Sequence, residues 1–141
     1  MRLVLDTNVV VAGLLWQCAP RRLIDLAIDD ETVTLYSSPA LIEELANTLG
    51  YQRFVKRIAL FDTSIAALVA QYEAMVTLAS PTHTPRVVTN DPDDDHVIAC
   101  AVAANAKLII SDDKHLLSIK SYQNIPILAP ADALGFIEAN K

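Results

Sequence analysis

Two short apolar runs, each stopping at acids, constrain this chain more than any other feature. Leu3-Val4-Leu5 ends at Asp6, and Leu108-Ile109-Ile110 ends at Ser111-Asp112-Asp113. Aliphatic runs without polar alternation are characteristic of strands buried on both faces, and such strands belong to parallel sheets covered by helices. Thr34-Leu35-Tyr36, Val76-Thr77-Leu78 and Ile125-Pro126-Ile127-Leu128 are further strand candidates. Pro126 has no N–H for a ladder, so the last is expected at a sheet edge.

Between these runs the apolar period lengthens to that of a helix. From Pro20 to Ile28, residues Leu23, Ile24 and Ala27 share one face, and Pro20 suits a first helical turn. Ser38 is an N-cap ahead of Pro39, with Leu41, Ile42, Leu45, Ala46 and Leu49 as the buried stripe and Gly50 as a stop. Ile65, Leu68, Val69, Tyr72, Met75 and Val76 mark a long helix after Asp62. Another opens at Asn90-Asp91-Pro92 and runs through Ala103, so apolar that it is expected to be covered all round. Strands alternating with helices predict an α/β fold, a three-layer α/β/α sandwich on a mainly parallel, roughly five-stranded sheet. One domain over residues 1–141 is expected, with the segment Ser80 to Pro92 and its three prolines as the longest loop.

Composition removes several alternatives. With 52% hydrophobic residues, three Gly and seven Pro, the chain can bury a core, which excludes disorder and fibrous repeats. Asp6 and Asn8 interrupt what would be the apolar part of a signal peptide, and no run approaches the roughly 20 residues that span a bilayer. A chain with no export signal and no membrane association is therefore expected. Cys18 and Cys100 are the two cysteines, and Cys100 sits in an apolar stretch, which favours a reducing, cytoplasmic setting. Eleven Lys and Arg against seventeen Asp and Glu give a net charge of −6, which argues against a broad basic face for nucleic acid.

In open parallel sheets ligands sit beyond the carboxyl ends of the strands, where the acids of this chain fall. Asp6 closes a strand and is a site candidate, although an Asp there also caps a helix beginning near Asn8. Asp91, Asp93, Asp94 and Asp95 crowd a helix start, where acids gain about 0.3–1 kcal/mol each from the helix dipole. Asp91 reads as the N-cap, with Asp93 and Asp94 complementing the first turn. Asp95, at the join to the apolar run from Val97, is the site candidate of that group. Glu43 and Glu44 lie equally far from the centre of their helix's apolar stripe, and either Asp112 or Asp113 can cap the short helix through Leu116 and Leu117, so both pairs stay open.

Converging carboxylates repel one another. A unit-charge pair at 4 Å costs about 1 kcal/mol in water and about 4 kcal/mol at an effective dielectric near 20, so such a cluster calls for a cation or protons. Hard oxygen donors without a His and Cys pattern suit Mg²⁺ or Mn²⁺ rather than zinc. His83, His96 and His115 show no metal-ligand spacing and read as surface or cap residues.

The succession Val4-Leu5-Asp6-Thr7-Asn8, Glu44-Leu45, Asp95-His96-Val97-Ile98-Ala99 and Ile110-Ser111-Asp112-Asp113-Lys114-His115-Leu116 resembles the PIN-domain family across essentially the whole chain. It is closest to bacterial and archaeal members regarded as toxins of toxin–antitoxin pairs, a branch that the passage from Ser38-Pro39 through Leu49 to Arg53-Phe54 also resembles. The resemblance implies four acids, Asp6, Glu44, Asp95 and Asp113, as catalytic residues and metal ligands, with Asn8 and Ser111 orienting them. Asp112 is then an addition, and His115 stands where relatives often carry Asp.

The activity so implied is Mg²⁺- or Mn²⁺-dependent hydrolysis of single-stranded RNA, leaving 5′-phosphate and 3′-hydroxyl ends. A cognate antitoxin is the implied protein partner, and homodimers are common in the family. Arg21, Arg22, Arg53, Lys56 and Arg57 are the candidates for holding phosphates, or else a solvated helix face. Trp16 is a candidate for an interface or for the core. A haloacid-dehalogenase-type phosphatase would need an acid two residues after Asp6, where this chain has Asn8. A PIN-like module that binds a partner without catalysis is the competing reading.

Overall fold

The computed structural model describes residues 1–82, 84 and 92–140, and of Pro92 and Asp93 only the backbone. In chain order the elements are β1 (Arg2–Leu5), α1 (Thr7–Leu15), α2 (Ala19–Asp29), β2 (Thr34–Ser37), α3 (Pro39–Leu49), a 3-10 turn (Gln52–Phe54), α4 (Val55–Leu60), α5 (Ile65–Met75) and β3 (Thr77–Leu78). There follow α6 (Pro92–Ala104), β4 (Leu108–Ile110), α7 (Lys114–Ile119), β5 (Ser121–Tyr122), β6 (Ile125–Leu128) and α8 (Pro130–Ala139). The positions expected for His83, Asn90 and Asp91 lie outside the described residues.

The strands form one sheet in the order β3-β2-β1-β4-β6-β5, parallel except for β5. Side chains alternate across it with period two. Leu3, Leu5, Leu35, Leu108 and Ile110 face a layer built from α1, α2, α3, α5 and α8. Val4, Ile109 and Ile127 face α6 and α7. The three-layer expectation therefore holds, with six strands rather than about five.

The sixth strand corrects the placement of β6. Pro126 was expected to put that strand at the edge, yet β6 pairs with β4 on one side and the two-residue β5 on the other. Ile127 donates its N–H to the Lys120 carbonyl on the β5 side, so the alternating backbone turns Pro126 N toward β4. Pairing with β4 begins one residue later, at Ile127, and no ladder bond is lost.

Helix starts follow local chemistry. Ser38 Oγ accepts from Leu41 N–H and Ser64 Oγ from Ala67 N–H, opening α3 and α5. Gly50 is the C-cap of α3 at φ −78°, so the helix stops without a left-handed glycine, and the chain bends straight into the 3-10 turn. In α1, Val9, Val10 and Val11 are β-branched and poor helix formers, but all three are buried, and packing decides the conformation. Gly13 permits the close approach of α1 and α2, because a Cβ there would lie 2.6 Å from Ile24 Cδ1 and 3.1 Å from the Pro20 carbonyl oxygen. The covering of α6 is less complete than expected. Val97, Ile98, Ala99, Cys100, Ala101 and Ala104 are buried, whereas Ala103, whose small side chain exposes little apolar area, is open to solvent.

Candidate active site

The sheet order places a crevice. From β1 the chain steps outward through β2 to β3, then returns to the other flank of β1 as β4. The helices leaving β1 cover one face and α6 covers the other, so the carboxyl ends of β1 and β4 form a topological switch point. The register pairs Leu5 with Ile110. Asp6 and Ser111, one residue on in each strand, therefore stand side by side at that switch point. Asp6 N–H donates to the Ile110 carbonyl at 2.9 Å, and Ser111 N–H to the Leu128 carbonyl at 3.0 Å, which fixes both backbones in the sheet.

Asp6 is both cap and site candidate. Its Oδ1 accepts from Thr7 N–H at 2.7 Å as the N-cap of α1, and its Oδ2 accepts from Ser111 Oγ at 2.7 Å. The carboxylate is 5% exposed and Ser111 is fully buried. Ser111 Oγ also accepts from Asp113 N–H at 2.9 Å. A single hydroxyl thus positions the first acid and the backbone of the last. Asp113 in turn caps α7, its Oδ1 accepting from His115 N–H at 2.7 Å and Leu116 N–H at 3.2 Å, so both cap bonds fall on one carboxylate oxygen. Asp112 is exposed, and so is Asn8, in the first turn of α1.

The other acids come from α6 and α3. Arg2, at the start of β1, donates from Nη1 to the Ala104 carbonyl at 2.9 Å, which fixes the end of α6 at the amino edge of the sheet. Its first turn, with Asp94 and Asp95, therefore lies toward the carboxyl edge. Asp95 is 4% exposed, but Asp94, which the sequence assigned to a dipole-complementing surface role, is buried to the same degree at 3%. The signal was available: Asp94 leads Ile98 and Ala101 at i+4 and i+7, both fully buried, so it lies on the buried stripe of α6. On α3, Glu44 is half-buried and Glu43 exposed. Both line a recess of about 280 Å³ together with Asn47, Tyr51 and His96. His96, the neighbour of Asp95, is partly exposed and faces the same recess as Glu44.

The donor chemistry fits a hard divalent cation. Carboxylates predominate, several are buried, and the buried Thr7 hydroxyl next to Asp6 has no hydrogen-bond partner among the described residues. Among the described residues, however, no three His, Cys, Asp or Glu side chains stand close enough to hold one ion in this arrangement. Asp6 and Asp113 each give one oxygen to a helix cap.

The candidate phosphate-holding residues sit on α2, on the 3-10 turn and on α4. Arg21 pairs with Asp25 at 3.2 Å, and Arg57 donates from Nε to the Leu15 carbonyl at 2.8 Å. Arg22, Arg53 and Lys56 are exposed. Trp16 is 40% exposed rather than a core residue.

A three-layer, mainly parallel α/β fold with buried acids at the switch point of its sheet defines the class of this protein. Within that class the chain belongs to the PIN domain family, whose pattern matches residues 2–115. An uncharacterized protein of Methanocaldococcus jannaschii is 25% identical over 124 residues, covering 85% of this chain and 76% of that protein. One chain of the crystal structure of VapBC2 from Rickettsia felis, bound to a DNA fragment from their promoter, superposes with a TM-score of 0.62. It covers 90% of this chain and 97% of that chain at 13% identity, a likeness of fold.

Proposed function

We propose that this PIN domain is a Mg²⁺- or Mn²⁺-dependent endoribonuclease that cuts single-stranded RNA to 5′-phosphate and 3′-hydroxyl ends, and that it is the toxin of a cytoplasmic toxin–antitoxin pair. The observation that carries the reading is the Asp6–Ser111–Asp113 connection at the switch point. A buried carboxylate whose two oxygens accept from a backbone N–H and a hydroxyl is held in one orientation, as a ligand for a cation needs to be.

Asp6, Glu44, Asp95 and Asp113 would hold the ion, with Asp94 as an additional candidate. A bound divalent ion supplies Lewis-acid neutralisation of the charge that builds on the phosphate. The chain's own residues do the rest. Ser111 orients Asp6, Asn8 extends the polar rim, and a carboxylate beside the attacking water accepts its proton. Membership of the PIN domain family supports the nuclease class, and the VapBC2 likeness supports an antitoxin partner. Among the described residues no helix is long and apolar enough to cross a membrane.

The test is cleavage of a single-stranded RNA by the purified protein. Activity is expected with added Mg²⁺ or Mn²⁺ and to vanish with a chelator, and Asp6→Asn or Asp95→Asn is expected to abolish it. Cleavage without divalent ions, or undiminished in both variants, overturns the assignment and leaves the partner-binding module as the better reading.

A further inference from the structure

The recess that holds Glu44 and His96 opens onto a succession of rings and guanidinium groups. Tyr51 lines that recess. The Arg53 guanidinium lies 5.5 Å from the Tyr51 ring centre and 4.8 Å from that of Phe54. Phe54 meets Trp16 edge-on at 6.1 Å, and Arg57 lies 5.2 Å from the Trp16 ring and 4.7 Å from that of Phe61. The far end is a second recess of about 520 Å³, lined in part by Trp16, Arg57 and Phe61. Tyr51, Trp16 and Phe61 are 52%, 40% and 52% exposed.

We propose that the ladder of Tyr51, Arg53, Trp16, Arg57 and Phe61, with the buried Phe54 as the floor that seats Arg53 and Trp16, is the track along which single-stranded RNA is held as it enters the acidic recess. The inference rests on the nuclease reading and adds to it the surface that grips the strand. Every base has a face that stacks on an exposed ring, whatever the sequence, and arginines between the rings meet the phosphates. The hydrogen bond from Arg57 uses Nε and fixes the side chain without using the terminal nitrogens.

Charge favours a polyanion over an apolar protein partner. From Gly50 to Phe61 the chain carries Arg53, Lys56 and Arg57 and no acid, in a protein of net charge −6. Continuity points the same way, because Tyr51 lines the recess of Glu44 and His96 and so joins the ladder to it.

The chain has a single tryptophan, so Trp16 reports on the track directly. The experiment titrates the full chain with an oligouridylate of about twelve nucleotides in the presence of a chelator, where binding is read without turnover. Cleavage is then measured with Mn²⁺. Quenching of Trp16 emission is expected, weakening with salt as phosphate contacts do. Phe61→Ala and Arg53→Gln, both at exposed positions, are each expected to weaken binding about tenfold and to raise KM while kcat stays within about twofold.

RNA cut with unchanged KM by both variants, and without any change in Trp16 emission, overturns the track and leaves the nuclease reading intact. Quenching without cleavage leaves the track standing as an RNA-binding surface and removes the nuclease. RNA that neither quenches nor is cut overturns both. Emission that shifts with protein concentration alone, or on adding a small protein partner but not RNA, assigns the patch to a protein interface and overturns the proposal.

Discussion

Ser111 has an outsized part for a residue without charge. It is fully buried, donates to Asp6 and accepts from Asp113 N–H, so the geometry of two strand ends passes through one oxygen. Ser111→Ala is expected to lower RNA cleavage about 10- to 100-fold, as loss of a supporting hydrogen bond to a metal ligand does, while Ser111→Thr retains most of it. Equal activity of the Ala and Thr variants would show that the hydroxyl does not matter to the acids. The buried Cys100 thiol leads to a different measurement. Burial, partly offset by a hydrogen bond with Ser38, pushes it from the ordinary 9.0 up to about 12. The Tyr72 hydroxyl is pushed upward as well, first by burial and then by Cys100. The unfolded thiol loses its proton near pH 9 while the folded one keeps it, so above that point the unfolded state binds fewer protons. Stability is therefore undiminished below pH 9 and falls as the pH rises toward 12. Urea unfolding at pH 7, 9 and 10 is expected to show this decline, with a smaller slope in Cys100→Ala.

At the level of elements, what was legible in the sequence was whatever had a local cause. Strands β1 and β4 were readable from their uninterrupted aliphatic runs, α3 from Ser38-Pro39, and α5 from its apolar period. The expected edge position of β6 failed because β5 is two residues long and pairs only through a hairpin that no apolar pattern announces. Among the acids, Asp6 was legible from its strand. The burial of Asp94 was missed because a cluster of acids at a helix start has a sufficient local explanation in the dipole. Glu44 and Asp113 were separable from their neighbours only by family resemblance, since one wheel position and one cap position fit either member of each pair. Close contacts between elements were not legible at all, and the α1–α2 crossing is the sharpest example. Adding a Cβ at Gly13 gains about 1 kcal/mol of helix propensity but meets the buried Ile24 and the Pro20 backbone, and overpacking of that kind costs about 1–3 kcal/mol. Gly13→Ala is expected to destabilise by roughly 1 kcal/mol, read as a lower urea midpoint at unchanged m-value. A raised midpoint would mean that Ile24 moves aside freely.

For the molecule as a whole, an acidic balance and a polyanionic substrate are compatible only if charge is segregated. Asp6 and Asp113 stand at the switch point of the sheet, while Arg53, Lys56 and Arg57 occupy the turn and short helix after α3. On the proposed reading, like charges gathered at that edge lower the stability of the free protein, and a cation that neutralises them raises it. Binding to the folded state alone stabilises by about 2.7 kcal/mol at a ligand concentration one hundred times Kd, which for a chain of this size is a rise in Tm of roughly 5–10 °C. Mn²⁺ or Mg²⁺ is therefore expected to raise Tm well beyond KCl of equal ionic strength, which only screens. Asp6→Asn separates the two effects cleanly. Asn caps a helix about as well as Asp, so α1 keeps its start, while the charge that would hold the cation is gone. A Mn²⁺-dependent rise that survives in Asp6→Asn, or one that KCl reproduces in the unmodified protein, places the ion elsewhere and removes the physical basis for the acids acting together.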